Sequence, residues 1–205
     1  MSKPAHDSDA TVRAISRALW AGESPERLVP QLLRLAGSAE PASEPWCFAQ
    51  RHLALAWAPI RPWRASLRAK ELLAVDPTDH AAWAALGLAQ SIIHNHRYAI
   101  RCYERALKIA PGQPRYAHNL GHLYDVVLDD PAASLPLLAA AYEAEPRSSD
   151  VAASYAHALG RTGEAQRGLD VLRRALTNGA TRDQRELLRF LEAEVAKKPS
   201  VRPTE

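Results

Sequence analysis

Four prolines divide the chain at a nearly constant interval. Pro41, Pro77, Pro111 and Pro146 each follow a run of helix-forming residues, and they lie 36, 34 and 35 residues apart. Proline ends a helix because it lacks the backbone N–H that the helical ladder needs. A regular period in the mid-thirties is typical of arrays of helical hairpins, each of which buries its apolar faces against its neighbours. The spacing therefore predicts about five helix pairs, arranged in order along the chain.

The composition favours helices throughout. Ala and Leu account for 65 of the 205 residues, whereas the β-branched residues Val, Ile and Thr account for 21. Unbranched side chains lose little freedom in a helix, and branched ones favour strands. We therefore predict an all-α protein. No stretch approaches the roughly 20 consecutive apolar residues that a membrane-spanning helix needs.

The clearest repeat unit covers residues 80–113. Its signature residues follow the spacing Trp-x2-Leu-Gly, Ala-x3-Tyr-x2-Ala and a final Pro, at Trp83, Leu86, Gly87, Ala99, Tyr103, Ala106 and Pro111. This pattern resembles the tetratricopeptide repeat (TPR) family, although Gln90 stands where the family usually has Tyr. Residues 114–148 match next best, with Gly121 retained and one extra residue in the turn near Asp129. The units on either side match less well.

The resemblance implies a right-handed α-solenoid of stacked antiparallel helix pairs with a C-terminal capping helix. We expect a single repeat domain over residues 9–198, with disordered segments at residues 1–8 and 199–205. Thr181 and Gln184 have the spacing of a capping box and predict where the last helix begins. That helix would present the polar outer face that the end of such an array requires.

A polar stripe lies on the predicted first helices of the two repeats after Pro111. In the TPR family the corresponding positions line the concave groove that binds partner proteins. The candidate partner-binding residues here are Arg115, His118, Asn119, His122, Asp125, Ser154, His157 and Arg161. Arg, Asn and His side chains donate hydrogen bonds that suit a peptide backbone or a carboxylate. The alternative is an ordinary solvated helix face.

The preceding predicted helix, residues 80–93, is apolar on almost every side. Such a helix is expected to be covered all round. We predict an apolar trough formed by Trp57, Ala84 and Leu88, which would receive an apolar helix or an extended segment of a partner. Two alternatives stay open, namely that the alanine-rich face is merely neutral or that the N-terminal helices of the chain lie across it.

His118 and His122 also have the spacing of two metal ligands on one helix face, with Asp125 one turn further on. However, Asn119 follows His118 where the zinc hydrolase motif HExxH has its glutamate, so zinc hydrolase chemistry lacks its base. The chain has no glycine-rich phosphate loop and no GxSxG motif. We therefore expect no metal, no cofactor and no enzymatic activity.

The best-known ligand scheme of the family is a two-carboxylate clamp that binds chaperone C-termini. Of the residues that this scheme requires, Asn119 alone fits. A chaperone-tail adaptor is therefore not expected.

The remaining features concern partners and compartment. A formal net charge of +3 without a basic stripe gives no support to nucleic-acid binding. Cys47 and Cys102 have neither metal-site nor disulfide-framework spacing, which favours a reducing compartment. We predict a cytoplasmic protein without membrane insertion, and its oligomeric state stays open.

The favoured function is a non-enzymatic interaction module, acting as an adaptor, scaffold or assembly chaperone that binds a peptide or helix of another protein. Bacterial TPR proteins of this size often serve as assembly factors or secretion chaperones, which is an argument by analogy. The alternative is a self-assembling structural protein that stacks end to end.

Overall fold

A computed structural model of the protein describes residues 4–176 and 179–197. These residues form helices joined by short turns and contain no strand, so the predicted all-α helical repeat fold is confirmed. The chain divides into two compact units, unit 1 at Met1–Pro111 and unit 2 at Gly112–Glu205. Among the described helices, none combines the length and the apolar character that crossing a membrane requires.

The described part of unit 1 consists of three helix pairs. Its helices are α1 Pro4–Trp20, α2 Pro25–Ser38, α3 Glu44–Trp57, α4 Pro62–Val75, α5 His80–Ile92 and α6 His96–Ile109. Each helix packs against the next one along the chain. The first helices of the pairs also contact one another, α1 with α3 and α3 with α5. This is the stacking that the proline period predicts.

Within the described residues, unit 2 repeats the arrangement and ends on a fifth helix. Its described helices are α7 Pro114–His122, α8 Pro131–Ala144, α9 Ser149–Arg161, α10 Ala165–Ala175 and α11 Arg182–Lys197. Here too each helix packs on the next, and α9 contacts both α7 and α11. The helices α7, α9 and α11 therefore stand side by side as the first helices of successive repeats.

Glycine at the signature positions lets the two helices of a pair approach closely. A Cβ added to Gly87 on α5 would lie 3.0 Å from the ring of Tyr103 on α6. A Cβ added to Gly121 on α7 would lie 2.7 Å from Cγ of Leu138 on α8. Both partner side chains are fully buried. In each of these two pairs, a large side chain of the second helix packs directly against the glycine of the first helix, in space that a Cβ would occupy.

Gln90, which departs from the family pattern, takes part in a buried hydrogen-bond network. Its Nε2 donates to Oγ of Ser66 over 2.8 Å, and its Oε1 accepts from Nδ2 of Asn95 over 2.9 Å. Ser66 lies on α4, so the amide connects two consecutive helix pairs of unit 1. Because both ends of the amide are bonded, the buried polar group costs little.

The C-terminal helix begins as the sequence predicts. The N–H of Gln184 donates to Oγ1 of Thr181 over 3.2 Å, and the N–H of Thr181 donates to Oε1 of Gln184 over 2.9 Å. This reciprocal pair is the predicted capping box. Further along α11, Leu191 is fully buried and packs into the core with Leu159 and Leu172.

We expect Thr181→Ala to destabilise α11 by about 1 kcal/mol, because the substitution leaves an N–H of the first turn without its acceptor. The measurement is amide hydrogen exchange, which should accelerate several-fold along α11 and stay constant along α7. Thr181→Ser keeps the hydroxyl and should exchange like the wild type. Equal exchange in all three proteins would show that the capping box contributes nothing.

The extra residue of the 114–148 repeat is accommodated in a π-helical turn. After His122 the helix α7 continues as Leu123–Val127 in π-helical geometry, and the N–H of Leu128 donates to the carbonyl of Leu123 over 3.1 Å. Asp129 then adopts a left-handed conformation with φ of 55°. A π turn holds one residue more than an α turn, so the insertion widens the end of the helix and leaves the following repeat in register.

The chain ends differ in part from the sequence-based expectation. Helix α1 begins at Pro4, so residues 4–8, which the sequence predicts as disordered, are helical. Proline is favoured at the first helical position, and Ser8 is already buried, which explains the early start. The tail at residues 199–205 lies outside the described residues. The single domain over residues 9–198 stays a prediction.

His52 makes the stability of unit 1 depend on pH. Its ring lies on α3, half-buried against Phe48 with a centroid distance of 4.3 Å, and burial, followed by the charge of Arg51, lowers its pKa to about 4. Between pH 6.5 and 4 the unfolded chain binds a proton that the native state does not, so stability decreases as the pH falls through this range.

Between pH 7 and pH 4 we expect the wild type to lose about 2 kcal/mol more stability than His52→Gln, because glutamine does not titrate in this range. This value allows for the solvent that still reaches the ring. Urea denaturation of both proteins at the two pH values measures this difference. An unchanged pH dependence in the variant would contradict the assignment.

Candidate functional site

The first helices of unit 2 enclose a cavity of about 470 Å³ on one face. We call it the groove. Its lining comes from α7 and its π turn, from α9, and from the start of α11, and comprises His118, Asn119, His122, Asp125, Val126, Asp150, Ala153, Ser154, His157, Thr181, Asp183, Gln184 and Leu187. Side chains three, four and seven residues apart share one face of a helix, which is why these neighbours converge.

His118 and Ser154 connect the first two helices across the groove. Nε2 of His118 lies 2.9 Å from Oγ of Ser154, a hydrogen bond whose donor depends on the imidazole tautomer. Burial, assisted by the neighbouring His122, lowers the pKa of His118 against the opposing charges of Asp150 and Glu145. The ring is therefore neutral at pH 7, with one donor and one acceptor nitrogen, of which Nε2 already bonds to Ser154.

Asp125 is the buried charge of the site. Only 1% of this residue is exposed, and its carboxylate accepts a hydrogen bond from Nδ1 of His157 over 2.5 Å and another from Nη1 of Arg161 over 2.9 Å. The same guanidinium donates to the backbone carbonyl of Asp125 over 2.6 Å and bonds to Asp129. Since one arginine bonds both side chain and backbone, the π turn is held firmly against α9.

His122 occupies the middle of the groove wall on α7. Desolvation within the concavity lowers its pKa, with the charge of His157 adding to the effect and that of Asp125 opposing it. Like His118, it is neutral at pH 7. His118 and His122 thus present neutral imidazoles rather than cations to a ligand at that pH.

The rest of the lining combines apolar surface with exposed carboxylates. Val126, turned outward by the π turn, is 54% exposed, and it shares the cavity with Ala153 and Leu187. Asp150 and Asp183 lie in the first turns of α9 and α11. A ligand in the groove would therefore meet hydrogen-bonding, apolar and acidic groups together.

The structure brings most of the sequence-predicted polar residues to this one cavity. His118, Asn119, His122, Asp125, Ser154 and His157 all line it. Arg161 does not line the groove and instead holds Asp125 in place, while Arg115 is exposed on α7 and is not part of the lining.

Sequence reasoning missed the contribution of α11 to the groove. Helix α11 begins 33 residues after α9, close to the repeat period, so it stands where the first helix of a further repeat would stand. Extending the period by one more step would have predicted that Asp183 and Leu187 face the groove. Because the sequence analysis treated α11 only as a cap, it did not consider this spacing.

The apolar trough predicted in unit 1 is not an open surface. Trp57 is 4% exposed and Ala84 is 6% exposed, and both belong to the buried core of unit 1. Leu88 packs, partly buried, against the cluster that contains Trp57. The guanidinium of Arg64 covers the indole of Trp57, with its carbon 5.8 Å from the ring centroid. The expectation that these residues receive a partner is corrected here, because their own neighbours already cover them.

The polar side chains of the groove do not form a Ser-His-Asp relay. In a Ser-His-Asp triad one histidine bonds to both the hydroxyl and the carboxylate. Here Ser154 bonds to His118, whereas Asp125 bonds to His157, so the two halves of such a relay lie on different rings. Within the described part of the chain, no three His, Cys, Asp or Glu side chains are arranged to hold a metal ion.

Comparison with known proteins identifies the fold. No protein-family model matches the sequence, and no curated protein matches it. Solved structures do. PilF of Pseudomonas aeruginosa matches with a TM-score of 0.72 and 18% identity over 93% of this chain and 85% of that chain. A thermophilic TPR protein of Thermus thermophilus matches with a TM-score of 0.65 and 15% identity over 92% and 99% of the two chains.

MamA of Desulfovibrio magneticus is also similar, with a TM-score of 0.63 and 17% identity over 94% of this chain and 98% of that chain. At such low identities these likenesses establish the fold and nothing finer. The fold is that of tetratricopeptide repeat proteins, so the resemblance predicted from residues 80–113 is confirmed.

Proposed function

We propose that the chain is a non-enzymatic protein-interaction module, an adaptor or scaffold, whose groove in unit 2 binds a peptide or helix of a partner protein. The observation that carries this proposal is the convergence of three successive first helices on one cavity that contains both hydrogen-bonding and apolar side chains. The TPR-like fold supports it, because proteins of this fold commonly bind other proteins, which is an argument by analogy.

The dimensions and the polarity of the groove support the same proposal. A cavity of about 470 Å³ lies within the range of ligand sites and has room for a few side chains of a bound segment. Neutral His118 and the hydroxyl of Ser154 are suited to a peptide backbone, which offers one donor and one acceptor per residue. The carboxylate ligand considered from the sequence is less well supported, since Arg161 already neutralises Asp125.

The test fills the groove with a bulky side chain. We expect Ala153→Trp to lower the affinity for partner segments at least tenfold, because the indole occupies the cavity that Ala153 lines. Arg174→Trp on the exposed face of α10 is the matched control and should bind as the wild type does.

Both variants are assayed by capture of partner proteins followed by mass spectrometry, with circular dichroism to verify the fold. Proteins that the wild type and the control retain and that Ala153→Trp loses support the proposal. If all three proteins retain the same set, the groove is not the binding site.

An exposed apolar patch on unit 1 favours self-assembly as a second candidate function. Ile60, Trp63 and Leu67 are 58%, 73% and 55% exposed, and the last two lie one turn apart on α4. Exposed apolar patches mark interaction surfaces. Light scattering over a hundredfold range of concentration separates the candidates, because a constant monomer mass argues for the adaptor and growth of the mass argues for assembly.

The cytoplasmic location predicted from the sequence is part of this proposal, as is the bacterial origin suggested by analogy with bacterial TPR proteins of this size. Cys47 and Cys102 are unpaired thiols in the structure. Fractionation of cells that express the protein tests the location directly.

A further inference from the structure

We infer that the segment bound in the groove presents a lysine or arginine side chain, which lies between Asp150 and Asp183 and rests its methylene stem on the apolar wall. This inference depends on the proposed function and specifies the chemistry of the partner.

The charge of the groove is negative at pH 7. Asp125, Asp150 and Asp183 line it, and none of its described lining residues is a lysine or an arginine. Arg161 neutralises the buried Asp125, which leaves Asp150 and Asp183 as exposed carboxylates. Neither of these two forms a salt bridge within residues 4–176 and 179–197. A cation from a partner would supply the missing counter-charge.

Two basic residues beside the groove, both on α11, are directed to other groups. Arg182 donates to Glu186 over 3.0 Å, and Arg185 donates to the backbone carbonyl of Ala180 over 2.5 Å. Burial keeps His118 neutral at pH 7, so this ring does not offset the carboxylates either. An acidic partner segment would place like charges beside Asp150 and Asp183 without a compensating group, which disfavours it.

The apolar wall fits the stem of a basic side chain. Lysine and arginine bury three or four methylene groups along apolar surface while the charged head stays hydrated. Val126 and Leu187 line the same cavity as the two carboxylates, with the small Ala153 also in its wall. The combination favours a basic residue flanked by an apolar one over a purely charged tail.

The two carboxylates also have a simpler explanation. Each lies in the first turn of its helix, where a negative charge stabilises the positive end of the helix dipole. An experiment must therefore separate binding of a ligand from stabilisation of α9 and α11.

The experiment starts with selection of random heptapeptides displayed on phage against the immobilised full-length protein. The selected sequences are then synthesised with a fluorescent label, and their affinities are measured by anisotropy. We expect the selected peptides to carry Lys or Arg beside an apolar residue. Replacement of that basic residue by norleucine should weaken binding about tenfold, as removal of two partly solvated charge contacts does.

Matched variants test whether the two carboxylates cause the preference of the groove for the basic peptide over the norleucine peptide. Asp150→Asn/Asp183→Asn should weaken the basic peptide about tenfold, and the norleucine peptide should bind this variant and the wild type alike. Asp170→Asn/Glu192→Gln also removes two negative charges, but outside the groove, and should change the affinity for the basic peptide less than twofold. The preference of the wild type for the basic peptide should also decrease with salt.

The outcomes distinguish the inference from the proposed function. If the selected peptides lack basic residues, or if the Asp150/Asp183 variant melts earlier yet binds the basic peptide as the wild type does, the inference is overturned. The proposed function still stands in that case, provided that Ala153→Trp abolishes binding. If no peptide is enriched, or if none depends on Ala153, the proposed function itself is contradicted.

Discussion

Gly168→Ala is expected to destabilise unit 2 by about 3 kcal/mol. A Cβ at this position on α10 would lie 2.8 Å from the backbone carbonyl oxygen of Ala156 on α9 and 3.1 Å from Cδ2 of Leu191 on α11. A side chain in the way could rotate, but the carbonyl belongs to the backbone of a helix, so α10 must move away from α9. That movement would loosen the packing around the fully buried Leu172.

Urea denaturation followed by circular dichroism measures the loss in stability. Faster amide hydrogen exchange along α9 and α10 would show that the loss in stability affects unit 2. The control is Gly37→Ala on α2, where an added Cβ meets nothing within 4 Å and the variant should gain about 0.5 kcal/mol from helix propensity. If Gly168→Ala and Gly37→Ala are equally stable, α9 and α10 do not pack closely at Gly168, which contradicts this account.

Asp125→Ala is expected to cost about 3 kcal/mol of stability and to open the groove. The substitution removes a buried carboxylate and leaves Arg161 and His157 without their main partner. Breaking a buried ion pair by removal of one member costs about 3 to 5 kcal/mol, and the lower end applies because the Arg161 side chain is 25% exposed and keeps Asp129.

Asp129→Asn is the matched control, since the Asp129 side chain is 86% exposed and bonds to the same guanidinium. It should change the stability by less than about 0.5 kcal/mol. Thermal and urea denaturation of the three proteins measure the difference. Equal losses in Asp125→Ala and Asp129→Asn would contradict the role of Asp125 as the anchor of the π turn.

Local patterns in the sequence predicted much of the architecture. The proline period predicts the helix pairs because proline disfavours continuation of a helix, although α2 and α8 do continue through Pro30 and Pro136. The capping box of Thr181 and Gln184 predicts the start of α11 because it depends on neighbouring residues. Helical spacing also predicts that His118 and His122 share a face. These features depend on short-range rules, which a single sequence displays directly.

The features that sequence reasoning missed depend on tertiary contacts. The exposure of Trp57 is set by the residues packed around it, so an apolar stripe alone cannot distinguish an open trough from a filled core. The extra residue near Asp129 shows that a repeat is irregular, but not that a π turn absorbs it and buries Asp125. The contribution of Leu187 to the groove is the exception, because one further step of the repeat period would have predicted it.

The most direct test of the groove is nuclear magnetic resonance of the 15N-labelled full-length protein, titrated with a selected heptapeptide. If the groove binds the peptide, shift changes should concentrate on its lining, at the amides of Ser154, His157, Gln184 and Leu187, and should disappear in Ala153→Trp. Changes confined to α4 around Trp63, or changes that persist in Ala153→Trp, would contradict the assignment of the groove as the partner-binding site.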